Sequence, residues 1–251
     1  MLSIEFALIV FACVFGGTLF GMYLSEVLPE PHLSKESVDV IKTGVGLIAT
    51  MAALVLGLVT ASAKSAFDAQ ASAIEQAATD VLALDRVLAE YGPQTKDIRD
   101  SIRHIMESRI AQVWPDDGAV SKLDAPQMMA AVEGIQSRIL ALTPQGDAQT
   151  WLRSRALDLG SDVFQTRLRS MASSNAIQLP FLVVVVSWLT VIFWSFGLLA
   201  PRNGTVIAVL FVCALAVSAS IFLILEMGSP FQGVMRVSSA PMRFALEHLG
   251  K

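Results

Sequence analysis

The sequence predicts an all-α membrane protein with four transmembrane helices and a helical bundle inserted between the second and third. Three observations predict it. Of 251 residues, 54% are hydrophobic and only 16% charged, where a soluble domain carries roughly 25% charged residues. The apolar excess is gathered into four runs, each about the 20 residues that a ~30 Å hydrocarbon layer requires. Elsewhere the apolar residues recur at the helical period, and no stretch alternates as a strand would.

The first run, Ile4–Leu24, carries Glu5 as its one charge. It has no basic n-region and its apolar stretch is long, so it reads as a retained span and not a signal peptide. Gly44–Ala63, Leu179–Ala200 and Gly204–Leu225 carry no charge. Glu5 and Glu226 lie at span edges, close enough to an interface to reach water. Four spans place both termini and the long Lys64–Gln178 segment on one side. The other side receives Ser25–Thr43 and the turn Pro201-Arg202-Asn203. The long segment holds twelve Lys/Arg, but only those near its ends count toward orientation. Lys64, Arg167 and Arg169, with Arg236, Arg243 and Lys251 of the tail, outweigh Lys35, Lys42 and Arg202. That bias puts the long segment and both termini in the cytoplasm.

Between the second and third spans, four helical stretches are separated by turn signals. Phe67, Ile74, Val81, Leu84 and Leu88 mark the first, which continues the second span to about Tyr91. Gly92-Pro93 stops it and starts the next. Ile98, Ile102, Ile105 and Val113 mark the second, and "WPDDG" (Trp114–Gly118) closes it. Asp124 is placed to cap the third, with Gln127 in capping-box position. Met128, Val132, Ile135, Ile139 and Leu142 form its stripe, and "TPQGD" (Thr143–Asp147) breaks it. The fourth carries Leu157, Phe164, Leu168 and Met171 and feeds into the third span. The expected divisions are 1–63 for two spans, 64–178 for the cytosolic helices, 179–226 for two further spans and 227–251 for a cytosolic tail.

Chemistry is sparse. His32, His104 and His248 stand far apart, and none pairs with a second ligand type at metal spacing. There is no HExxH, CxxC, Walker loop, GxGxxG or nucleophile elbow. "KDIRDSIRHIMESR" reads as a solvated face with i,i+4 pairs such as Arg103 with Glu107. Cys13 and Cys213 both fall inside spans and form no disulfide framework. A net charge of -4 names no nucleic-acid partner. No enzyme, cofactor or metal site is expected.

The second span is more informative. On a helix, Gly46, Thr50, Ala53, Gly57, Thr60, Lys64 and Asp68 share one stripe, and Leu47, Met51, Leu54 and Leu58 another. The small and hydroxyl stripe has two readings. One is close helix packing, since Gly57-xxx-Ala61, like Gly17-xxx-Gly21 in the first span, is a small-xxx-small contact. The other is a conduction path that leaves room for water, with Lys64 at its mouth. The apolar stripe offers a third reading, a constriction that gates by excluding water.

Two segments carry a resemblance. "LGLVTASAKSAFDAQ" (Leu56–Gln70) is a span end running into small residues, an aromatic and Asp. In "LEMGSPFQGVMRVSSAPMRFALEHLG" (Leu225–Gly250), Glu226, Pro230, Phe231 and Gly233 look like an acid–Pro-Phe-Gly turn after a last span. The chain resembles the bestrophin-like family of bacterial membrane proteins, distantly similar to bestrophin channels. The resemblance implies a homo-oligomer, five subunits in bestrophins, whose second spans line a central pore with an apolar neck. It implies inorganic ions, mainly anions, as cargo, and the bacterial inner membrane as location, with the lipid bilayer as a partner. It favours Leu47, Met51, Leu54 and Leu58 as the neck; periodicity alone does not choose between the stripes. Ala69-Gln70 replaces the Arg-Trp pair of bestrophins. Gln232 and Val234 stand where animal members have an acidic calcium cluster, so no calcium site is expected. The alternative function is a non-conducting membrane scaffold or sensor whose cytosolic helices bind a partner.

Overall fold

The structure, a computed structural model, describes residues 2–29, 34–115, 125–172, 179–231 and 233–250. Among the described residues every regular element is helical. In order these are α1 (Leu2–Val27), α2 (Lys35–Tyr91), a 3-10 turn (Pro93–Thr95), α3 (Lys96–Val113), α4 (Ala125–Leu140), α5 (Asp147–Ala172), α6 (Leu179–Leu199), α7 (Gly204–Met227) and α8 (Ala240–His248). Four of them, α1, α2, α6 and α7, are long and apolar enough to cross a membrane. The chain forms two compact units, Met1–Phe67 with Asn175–Arg236, and Asp68–Ser174 with Val237–Lys251.

In the first unit, α1 packs on α6 and on α7. Its core includes Val10, Val14, Val45, Ala52, Leu182, Leu189, Phe193 and Ile221. The α1–α6 contact is set by glycine. A Cβ on Gly197 would collide with the Thr18 carbonyl, and one on Gly21 with the Trp194 carbonyl. Gly17 has slightly more room, 3.2 Å from Thr190 Cγ2 and 3.3 Å from the Thr190 carbonyl. Without side chains at these positions the two backbones approach closely, which is how helices gain packing in lipid, where no hydrophobic force separates helix from tail. Phe211 of α7 packs edge-on to Phe11 and Phe15 of α1, its ring centroid 5.3 Å from each. Buried hydroxyls bond to their own preceding turn: Thr18 to the Val14 carbonyl at 3.3 Å, Ser195 to Val191 at 2.9 Å and Ser218 to Ala214 at 2.9 Å. These three hydroxyls are thereby not left bare in a site without water, whereas the Trp194 indole N–H of α6 is buried without a hydrogen-bond partner. At the α6–α7 turn, Arg202 pairs with Glu26 and donates to the Met22 carbonyl. Asn203 caps α7, its Oδ1 accepting from Val206 N at 2.8 Å.

The second unit is held differently. Ala78, Leu84, Leu88 and Tyr91 of α2 are buried, as are Ile98, Ile102, Met106 and Ile110 of α3. Gly92 ends α2 at φ +134°, a conformation open to glycine. Thr95, fully buried, donates from Oγ1 to the Leu88 carbonyl at 2.5 Å and so secures the α2–α3 turn. Gln149 of α5 donates to the Tyr91 carbonyl at 2.9 Å. α8 packs on α3, and the Trp114 indole N–H reaches the Val237 carbonyl at 2.9 Å.

Three expectations change. α5 buries Leu152, Ala156 and Leu159, while Leu157 is only half-buried. The buried line is an i, i+4, i+7 run that begins at Leu152, with the small Ala156 at its centre. Secondly, "KDIRDSIRHIMESR" is not wholly a solvated face. Arg103 does pair with Glu107 at 3.2 Å on the surface, but Arg99 reaches back to Asp85 of α2. That contact is bidentate, Nε to Oδ1 at 2.7 Å and Nη2 to Oδ2 at 2.8 Å, and Asp85 is buried. Thirdly, Glu226 does not reach water: it is 2% exposed. The Asp124 cap and the passage from α5 into α6 lie outside the described residues, as do the side chains of Gln127, Met128, Phe164, Leu168 and Met171.

Candidate pore-lining surface

The 57 residues of α2 form one unbroken helix, about 85 Å long at 1.5 Å per residue. Nothing in its sequence argues for a break: the helix contains no proline, and its last glycine is Gly57. Its ends are defined by sequence as well. Ser34 sits before the first turn and accepts from Ser37 N at 3.3 Å, and Gly92-Pro93 closes the far end.

Within the first unit, one side of α2 is packed. Val45, Ala52 and Ala63 are buried, and Ile41, Ile48, Ala49, Val55, Leu56 and Val59 lean on the same cores. Every other candidate position is exposed on the single chain. Leu47, Met51, Leu54 and Leu58 are exposed by 65%, 54%, 66% and 63%. Thr50, Ala53, Gly57, Thr60 and Lys64 are exposed too. Around Gly46 and Gly57 nothing lies within 4 Å of where a Cβ would stand. The two threonines satisfy themselves, Thr50 on the Gly46 carbonyl at 2.9 Å and Thr60 on the Leu56 carbonyl at 2.7 Å. Neither hydroxyl is therefore a bare donor. Of its most apolar window α2 buries only 11%, against 28% for α1, 39% for α6 and 22% for α7. Exposure alone does not separate the apolar stripe from the small and hydroxyl one.

The tail turn brings two of its four candidates, Glu226 and Gly233, together at one carboxylate. Glu226 Oε2 accepts from Val234 N at 2.5 Å and from Met235 N at 3.3 Å. Gly233 makes this possible: its φ is +93°, and a Cβ there would run into the Glu226 carboxylate. Pro230 and Phe231 are half-buried beyond the end of α7. The nearby core joins Ala63 of α2 to Ile224 and Met227 of α7, with Phe67 and Met235 against them. The carboxylate is satisfied by backbone N–H groups, as a buried anion must be. The signal in the sequence was Gly233 itself, seven residues after an acid at the end of a span.

In the second unit, Asp85 also accepts from Gly250 N at 3.1 Å, and Arg103 donates to the Leu249 carbonyl at 3.1 Å. The hydrogen bond to Asp85 raises the Arg99 pKa above its ordinary value; burial opposes this, and the charges of Asp85 and Asp100 add to it. A raised arginine pKa contributes stability at every pH below the strongly alkaline range, so the guanidinium brings no pH dependence near neutrality. Among the described residues no group of three His, Cys, Asp or Glu is arranged to hold a metal ion.

A family model described as a bestrophin-like domain matches residues 12–242. A solved structure, described as the crystal structure of a membrane protein, is similar at TM-score 0.64 and 13% identity, over 95% of this chain and 99% of that one. At that identity the likeness is one of fold. No curated protein matches the chain.

Proposed function

The chain belongs to the bestrophin-like family, and from that premise we propose that it is one subunit of a homo-oligomeric ion pore. Five copies gather around α2, and the path carries anions across the bacterial inner membrane. In this reading residues 64–178 form a cytosolic insert between the second and third spans. Both termini face the cytoplasm, and residues 227–251 form a cytosolic tail. The observation that carries the reading is α2 itself, an unbroken 57-residue helix with the least buried apolar window of the four spans. A helix that lines a path through lipid keeps its backbone bonded where water is scarce, and its exposed side needs a cover that its own chain does not supply.

Purified protein in a planar bilayer tests this. Anion-selective single-channel current is expected, abolished by Gly57→Trp and altered by Leu54→Ala. No current under any ionic condition, or current indifferent to both substitutions, sinks the pore and leaves a membrane scaffold. A single-subunit mass in mild detergent sinks the assembly as well. For orientation, a thiol reagent confined to the outside should label Ser34→Cys and spare Ser121→Cys in a background lacking Cys13 and Cys213.

A further inference from the structure

The turn between α6 and α7 meets the end of α1 in an open cleft of about 330 Å³. Leu19, Met22 and Tyr23 of α1 and Ile207 of α7 line its length, and Arg202 and Gly204 stand at one end. Leu19, Met22, Tyr23 and Glu26 follow the i, i+3, i+4, i+7 spacing, so they run along one side of α1. From Leu19 to Glu26 is about 10 Å along the helix. This wall is apolar at the Leu19 end and charged at the Glu26 end, where α1 leaves the span and α7 enters it. Tyr23, between them, is 61% exposed, an amphipathic ring at the level where such rings gather in membranes.

The charged end is a pair and not a single sign. Arg202 pairs through Nη1 with Glu26 and donates from Nη2 to the Met22 carbonyl. A guanidinium has five N–H donors, so these contacts leave it further donors for a second acceptor. The Glu26 side chain is 60% exposed and meets Arg202 through Oε1, which leaves Oε2 to accept elsewhere. We propose that the cleft holds a phospholipid with an ethanolamine headgroup. The remaining Arg202 N–H groups take its phosphate, Glu26 Oε2 accepts from its ammonium, and an acyl chain lies on Leu19, Met22 and Ile207. Charge and polarity select this occupant. A free phosphate is polar on every side and gains nothing from an apolar wall. An anionic lipid that carries no cation meets repulsion from Glu26 beside the attraction of Arg202. A choline lipid offers Glu26 a quaternary cation with no N–H to donate. The ethanolamine lipid alone among these matches both charges and the apolar wall.

Native mass spectrometry of the full-length chain tests it. The protein is purified in mild detergent, stripped of lipid, and offered ethanolamine, choline and glycerol phospholipids with the same acyl chains. Retention of the ethanolamine lipid about tenfold above the other two is expected, the worth of one hydrogen bond between charged groups. Glu26→Gln should erase the preference over the choline lipid and raise retention of the glycerol lipid. Both are ratios, so they do not depend on the yield of folded protein. Arg202→Gln should lower retention of all three. Because Arg202 also ties the α6–α7 turn to α1, it is read beside Ile207→Trp, which fills the apolar wall, leaves the ion pair alone and should lower all three as well. Equal retention of the three lipids by the unaltered chain overturns the proposal, as does a preference for the glycerol lipid. So does a preference for the ethanolamine lipid that survives both Glu26→Gln and Ile207→Trp, or displacement of that lipid by inorganic phosphate. A change of subunit count on Ile207→Trp with lipid retention unmoved assigns the cleft to a second copy of the chain and likewise overturns it.

Discussion

Gly17-xxx-Gly21 in α1 and Gly57-xxx-Ala61 in α2 share one spacing and opposite fates. The first is consumed inside the chain. Gly21 lies against the Trp194 carbonyl and Gly17 against Thr190, while Gly197 of α6 answers from the other side at Thr18. The second faces nothing its own chain provides. A small-xxx-small spacing therefore states that a backbone can come close, and the rest of the fold decides whose. In α1 that backbone is α6. In α2 the packed side is occupied by Val45, Ala52 and Ala63, and the glycine is left on the free side.

A substitution series along these glycines breaks or sharpens the contrast. The largest effect is expected from Gly197→Leu, whose side chain would start inside the Thr18 peptide; folded protein should be lost from size-exclusion profiles in detergent. Gly21→Ala adds one carbon against the Trp194 carbonyl, and a loss of about 2–3 kcal/mol is expected from overpacking against backbone. It should appear as a clear drop in thermal midpoint. Gly17→Ala meets a methyl group and a carbonyl beyond 3 Å, and about 1 kcal/mol or less is expected by the same measurement. Gly57→Ala should leave the stability of the isolated subunit within about 0.5 kcal/mol, since open space receives its methyl group. If Gly57→Ala destabilises the subunit as Gly21→Ala does, the two glycines are not different in kind and the comparison fails.

The spans were legible because twenty uncharged residues have few other uses, and the end of α2 was legible in Gly92-Pro93. The continuity of α2 through Ala61–Ala66 could be read from what was missing, a glycine or proline. The contacts between distant residues were not. Asp85 sits among Ala78, Val81, Leu84 and Leu88 and is buried with them, although the stripe read from the sequence left it out. Which arginine would serve could not be read, because Arg99 lies across a turn whose geometry Thr95 sets. Glu226 misled for a related reason. Position near a span end suggested access to water, whereas its partners are amides supplied by a later turn, which hydropathy does not register. Nor could periodicity choose a free side for α2. Only the location of its packed neighbours gives the helix an inside and an outside.

The clasp at Glu226 has a consequence for biosynthesis. Chains are made from the amino end, so this carboxylate emerges before the amides of Val234 and Met235, eight and nine residues downstream. Until those residues follow, the one buried acid among the described residues of its unit lacks its two backbone donors and keeps the Ser3 hydroxyl. Helix α7 would therefore lodge in two stages. A nascent chain halted before Gly233 should hold its final span loosely and present it to membrane quality control.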